Sequence, residues 1–233
     1  MSLHYAAVRL EEMVSRILYS GTRNASSWAF RAWLALREAQ VDFEEHIVDI
    51  RVPQRFENLA RIQAFSPPGA VPVLVDGDHA IFDSLAIMEY ANDRSGGRLL
   101  PSDPVIRAIA RSLLAWQHSG LSGLCARLSF ESAFYPERRA MTEDEQAQTE
   151  RIAAAWESTL KRGGGPWLTG DLSLADLAFV PTVIRLLAHG PDLSAYPLSE
   201  QWASRLLQRP SVNEWMQQAR DLPPVYLDDY QPA

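Results

Sequence analysis

Two polar clusters in this 233-residue chain have the types and spacing to handle a small acidic peptide. The first is Ser66-Pro67-Pro68-Gly69-Ala70-Val71-Pro72-Val73-Leu74-Val75, followed eleven residues after Pro72 by Asp83-Ser84. A proline that opens a strand has no N–H for the ladder, so Val71-Pro72 belongs at a sheet edge or a special turn. A cis bond there would turn the N–H and C=O of Val71 outward, toward an extended peptide. Asp83-Ser84 opens an amphipathic run, and a helix N-terminus offers unpaired N–H groups to a carboxylate. The second cluster, Thr22-Arg23-Asn24-Ala25-Ser26-Ser27, precedes an apolar-rich helical pattern. Ser26 or Ser27 should cap that helix, with Ser27 the stronger expectation.

The elements that must position these groups are readable from periodicity and turn residues. Strands are predicted over 17–20 and 43–50, and helices over 27–38 and 56–65. Strands over 72–75 and 79–82 flank Asp76-Gly77-Asp78, a hairpin signal because Asp-Gly suits positive φ. A last helix of this half runs over 84–95. The order βαβαββα is the thioredoxin-like arrangement. Ser95-Gly96-Gly97 to Pro101-Ser102-Asp103-Pro104 is a composition break. Beyond it the pattern is helical: one helix over 105–134, and another opened by a Thr142-to-Glu145 capping box and ended by Gly163-Gly164-Gly165. Further helices open at Ser173 and Ser199, and Ser211 is expected to cap the last. The predicted fold class is therefore α/β plus all-α, with a thioredoxin-like domain over 1–95 (including an N-terminal extension over 1–15) and an all-helical domain over 104–233.

Composition narrows the function. The balance of 22 Lys+Arg against 29 Asp+Glu leaves a net charge of −7. That argues against nucleic acid, which needs a basic face. An anionic ligand would need a local basic patch. The single cysteine, Cys125, leaves no internal disulfide and no Cys-x-x-Cys for zinc or redox work, and it reads as a buried small residue. No apolar run has the length to cross a bilayer, and the N-terminus lacks a secretory pattern. A cytoplasmic protein without metal is expected.

The residues Ser-Ser-Trp-x-x-Arg (26–31), Val71-Pro72-Val73-Leu74, Asp83-Ser84-Leu85-Ala86-Ile87-Met88-Glu89-Tyr90 and Ser173-Leu174-Ala175-Asp176-Leu177-Ala178 resemble a glutathione S-transferase. The likeness covers almost everything after residue 16, and its order and spacing are specific where each motif singly is weak. Gln54-Arg55-Phe56 and the Ser-Trp-x-x-Arg helix are most similar to zeta-like and related bacterial members.

The resemblance implies glutathione as co-substrate, a small electrophile as acceptor and a homodimer. It implies that a donor near the start of the first helix keeps the glutathione thiol ionised. Asn24 stands where zeta-like members keep a catalytic serine, and Ser26 where they keep a cysteine; Asn24, Ser26 and Ser27 are the candidates. Val71 and Pro72 would hold the cysteinyl backbone, Asp83 the amine, Ser84 the γ-glutamyl carboxylate, and Gln54 and Arg55 the glycyl end. Trp116, His118 and Phe130 are candidates for the acceptor site, while Ser173 and Asp176 resemble a structural capping box. The expected activity is thiolate attack on an apolar electrophile. The alternatives are cis-trans isomerisation of a maleyl-type diacid, with Arg23 or Arg127 as basic lining, and a non-catalytic glutathione-binding module.

Overall fold

In a computed structural model describing residues 16–228 and 230, a four-stranded sheet has the order β2-β1-β3-β4. The extension expected over 1–15 lies outside the described residues. The strands are β1 (Arg16–Gly21), β2 (Glu44–Val48), β3 (Val73–Asp76) and β4 (His79–Phe82). β1 runs parallel to β2 with Ile17 opposite Glu44, and antiparallel to β3 with Leu18 opposite Leu74. Parallel neighbours need a crossover, supplied here by α1 (Ser27–Glu38). Gly77, at φ +59°, closes β3 onto β4 as Asp-Gly predicts. Helices α2 (Gln54–Gln63) and α3 (Ser84–Arg94) complete this half.

α1 is apolar almost all round because both of its sides are covered. It packs on α3 and, across the domain junction, on α7 (Leu174–Ala188) and α9 (Pro210–Arg220). Phe30 of α1 stacks on Trp215 of α9 with centroids 4.6 Å apart, and Trp33 meets the same ring edge-on at 5.5 Å. The two halves therefore share one hydrophobic core. Any feature at the start of α1 is held rigidly by both.

The helical half departs from the predicted single helix over 105–134. α4 (Pro104–Ala115) gives way to a π turn at Trp116–Gly120, then to α5 (Ser122–Arg127) and a 3-10 turn at Glu131–Phe134. A Cβ at Gly120 would sit 2.6 Å from Cδ1 of Trp116, so only glycine permits this turn. The apolar stripe of Leu113, Leu114, Trp116, Leu121 and Leu124 spans the break, and periodicity alone does not register one extra residue per turn. Ser211 does not cap the last helix. It lies in the first turn of α9, behind Arg209 and Pro210, and donates to the Glu38 carboxylate, which Arg209 also grips.

Two capping boxes anchor the remainder, formed by α6 (Glu143–Gly163), α7 and α8 (Pro197–Leu207). At α7, fully buried Asp176 accepts hydrogen bonds from Leu168 N, Ser173 N, Ser173 Oγ and Trp202 Nε1, each at 2.9 Å. One carboxylate thus joins the turn before α7, the start of α7 and the middle of α8. At α6, Thr142 N donates to Glu145 Oε2 at 2.9 Å and Glu145 N to Thr142 Oγ1 at 3.2 Å. Arg139 grips the same carboxylate through both terminal nitrogens, at 2.7 and 2.8 Å.

Arg139 holds the Glu145 carboxyl down at about 2, against an ordinary 4.5. A carboxylate depressed on folding stabilises the protein above its unfolded value, and that contribution is lost as pH falls toward the folded one. Wild type should therefore lose stability between about pH 4.5 and pH 2 more steeply than Glu145→Gln, as followed by circular dichroism. At neutral pH the substitution should cost roughly 1.5–3 kcal/mol.

Candidate functional site

Val71–Pro72 is a cis bond and lies just outside β3. Together with Asp83, Ser84, Trp28 and His118 it lines a cavity of about 230 Å³. Asp83 caps α3 by accepting from Leu85 N at 2.7 Å, and it does so at φ +73°. A non-glycine residue there stores about 1–3 kcal/mol, and such strain gathers at ligand sites. Ser84 is buried, and its Oγ has no hydrogen-bond partner among the described residues. An orphaned hydroxyl at a helix N-terminus that faces a cavity suits an anionic ligand. His118 approaches from the π turn, its Nε2 3.4 Å from the Asp83 carboxylate and its ring edge-on to Trp28 at 5.1 Å.

Trp28 also lines a second, larger cavity of about 720 Å³, so the two spaces meet at the first turn of α1. Ser27, Arg55, Cys125, Phe130 and Arg185 contribute to its wall, as does the irregular segment 223–227. Arg185 is buried and donates to the carbonyls of Cys125 at 2.5 Å and Leu128 at 3.3 Å. Arg51, on the same wall, is clasped by Asp49 at 2.8 and 2.9 Å, and it holds that carboxyl down at about 2. The Arg55 guanidinium makes no hydrogen bond or ion pair among the described residues. Burial pushes the Glu131 carboxyl up, opposed by the positive fields of Arg185 and Arg55.

The candidate thiol donors separate. Ser26, not Ser27, caps α1: its Oγ accepts from Ala29 N at 3.3 Å. It packs so tightly on the end of β1 that a Cβ at Gly21 would lie 2.7 Å from its Cβ. Asn24 is fully buried, and its Nδ2 donates to the Pro223 carbonyl at 2.9 Å. Neither Asn24 nor Ser26 lines either of these two cavities, whereas Ser27 faces the larger one.

The remaining candidates divide between the two spaces. Val71, Pro72, Asp83 and Ser84 come together in the smaller cavity, joined there by His118 rather than by Phe130. Phe130 and Arg55 line the larger one. Trp116 turns into the core against Phe179 at 5.7 Å, and Gln54, exposed at the start of α2, lines neither space. Arg23 is committed to Glu45 at 2.5 Å and Arg127 to Asp144 at 3.1 Å. The basic lining comes instead from Arg55 and Arg185, with Arg51 on the same wall but neutralised by Asp49. Sequence reasoning missed Arg51, Arg185 and the segment 223–227, which periodicity does not distinguish from surface or core. Trp28 was visible only as part of a motif.

Among the described residues no helix is long and apolar enough to cross a membrane. A thioredoxin-like sheet domain fused to a helical domain, with the cleft between them, defines a known two-domain class. Residues 25–94 match the glutathione S-transferase N-terminal domain, and residues 138–218 match the glutathione S-transferase C-terminal domain. The chain is 32% identical over 188 residues to a probable maleylacetoacetate isomerase of Caenorhabditis elegans, covering 78% of this chain and 83% of that protein. It is 35% identical over 187 residues to the maleylacetoacetate isomerase of Rattus norvegicus, covering 78% and 82%. The structure of glutathione S-transferase I bound with lactoylglutathione superposes with a TM-score of 0.72 at 26% identity, covering 87% of this chain and 99% of that one. A Burkholderia glutathione transferase homologue with bound glutathione gives 0.66 at 27%, covering 89% and 99%. The chain belongs to the glutathione S-transferase family, in its zeta-like branch.

Proposed function

We propose that this protein is a cytoplasmic glutathione-dependent enzyme that ionises the tripeptide's thiol at the start of α1 and turns it on an electrophilic carbon in the larger cavity. The meeting of the two cavities at Trp28, beside Ser27, carries this reading. Glutathione occupies the smaller space. Its γ-glutamyl carboxylate lies on the orphaned Ser84 hydroxyl and the N-terminus of α3, and its amine lies at Asp83. Val71 pairs with its cysteinyl backbone by strand addition, and the glycyl carboxylate reaches toward Arg55.

Ser27 is the thiolate donor in this reading, since it faces the larger cavity, whereas Asn24 and Ser26 line neither space and Asn24 Nδ2 is held by the Pro223 carbonyl. A free thiol titrates near about 8.5, so hydrogen bonding to the charged sulfur raises its ionised fraction at neutral pH. Attack forms a sulfur–carbon bond. Either a leaving group departs with its electron pair, or the neighbouring carbon of a double bond takes up a proton.

Arg185 on the acceptor side favours a second outcome of the same attack, as does the likeness to proteins named maleylacetoacetate isomerase. The thiolate adds to the cis double bond of a maleyl-type diacid, the carbon–carbon bond rotates, and elimination returns the thiolate unchanged. We also propose a homodimer. α4 exposes Val105, Ile106 and Ile109, and its Arg111 pairs with Glu89 of α3 at 2.8 Å, so a partner's helices would cover the apolar residues across this face.

Glutathione at a hundredfold excess over its Kd should raise the melting temperature by several degrees, equivalent to about 2.7 kcal/mol. Assays with chlorodinitrobenzene and with a maleyl diacid then divide the readings, because conjugation consumes glutathione and isomerisation does not. No thermal shift would sink the proposal. A shift without turnover of either substrate would leave a binding module.

A further inference from the structure

Arg31 lies one helical turn beyond Ser27 on α1 and is only 2% exposed. Its Nε and Nη1 are buried without a hydrogen-bond partner, and among the described residues no carboxylate stands at ion-pair distance. Its guanidinium lies over the ring of Trp28, 4.3 Å from the centroid. Arg23 shows the usual solution to such burial: it too covers a tryptophan, Trp215 at 4.4 Å, but Glu45 neutralises it at 2.5 Å. The charged and titratable groups that reach Arg31 from its neighbours are Arg185 of α7, Cys125 of α5 and Asp83 at the head of α3. Burial, and then the repulsion of Arg185, bring its pKa down to about 9, which leaves it a cation at neutral pH.

A buried cation without a counter-ion is strongly unfavourable unless the anion arrives with a ligand. Trp28 borders both cavities, so Arg31 lies just behind the point where they join. A thiol that passes its electrons from the smaller space to the larger must sit at that junction. We propose that Arg31 is an electrostatic positioning residue of the glutathione site, its buried charge serving, across the Trp28 ring, as the through-space counter-ion of the thiolate. The proposal rests on the glutathione reading above. Ser27 supplies the hydrogen bond and Arg31 supplies the field, which at a buried charge is larger than in water and less screened by salt.

The test compares wild type, Arg31→Met and Arg31→Lys, each saturated with glutathione as judged by calorimetry. The ultraviolet absorbance of the bound thiolate is then titrated against pH. Arg31→Met should move the bound thiol's titration up by about one unit, a tenfold lower ratio of thiolate to thiol at a given pH, while glutathione Kd changes less than about threefold. Arg31→Lys should restore most of the shift. Without glutathione, Arg31→Met should melt no lower than wild type, since it removes an uncompensated buried charge. An unmoved titration, or a Met variant that melts lower or does not fold, would make Arg31 a structural residue and overturn the proposal. Failure of wild type to take up glutathione would overturn the site reading as well, whereas uptake with an unmoved titration overturns the Arg31 role alone.

Discussion

Ser27→Ala should lower kcat for glutathione conjugation about 10²-fold while leaving glutathione Kd within about threefold of wild type. The split follows from where the hydroxyl lies. It faces the larger cavity at the first turn of α1, apart from the Val71, Asp83 and Ser84 groups proposed to hold the tripeptide. Its hydrogen bond gains strength only when the sulfur carries charge, so its loss appears in turnover rather than in affinity. Ser26→Ala and Asn24→Ala provide the contrast. The first removes a helix cap, worth about 1 kcal/mol of stability. The second frees the segment that includes Pro223. Both should keep turnover within about tenfold of wild type, less than an oxyanion-type donor is worth. Steady-state kinetics with chlorodinitrobenzene would decide: a Ser27→Ala enzyme with full activity beside a dead Asn24→Ala would return the role to Asn24.

Asp176→Ala should cost about 3–5 kcal/mol of folding stability, because four buried donors lose one acceptor and none can reach water. Burial alone pushes the Asp176 carboxyl up, and its four donors oppose that shift. Urea unfolding monitored by tryptophan fluorescence is a direct measurement, since Trp202 donates to this carboxylate. A loss below about 1 kcal/mol would mean that the turn, α7 and α8 do not depend on this residue for their register.

Much of this architecture was legible because it is local. Asp76-Gly77, the capping boxes at Thr142 and Ser173, and Gly164 in the left-handed region each specify a turn or a helix end from adjacent residues. Val71-Pro72 and Asp83-Ser84, each singled out by a property of its own residue type, do come together at one cavity. What local sequence did not show has the opposite character. Asn24 is drawn to a carbonyl 199 residues away, and Ser211 to a carboxylate 173 residues away, so neither fate is encoded nearby. The break after α4 comes from one steric relation, Gly120 against Trp116, hidden inside an uninterrupted apolar stripe. His118 was expected beside the acceptor, but the π turn swings it over Asp83.

The segment 223–227 closes one side of the larger cavity although it belongs to no helix or strand. Tyr135 steadies it from beneath, accepting from Leu227 N at 3.0 Å and donating to the Val225 carbonyl at 2.9 Å. Substitutions in it would reshape that wall residue by residue without touching Val71, Pro72, Asp83 or Ser84, which line the smaller cavity. The wall is nonetheless tied to the start of α1 by the Asn24–Pro223 hydrogen bond, so a change of shape there would be felt at the helix proposed to hold the sulfur.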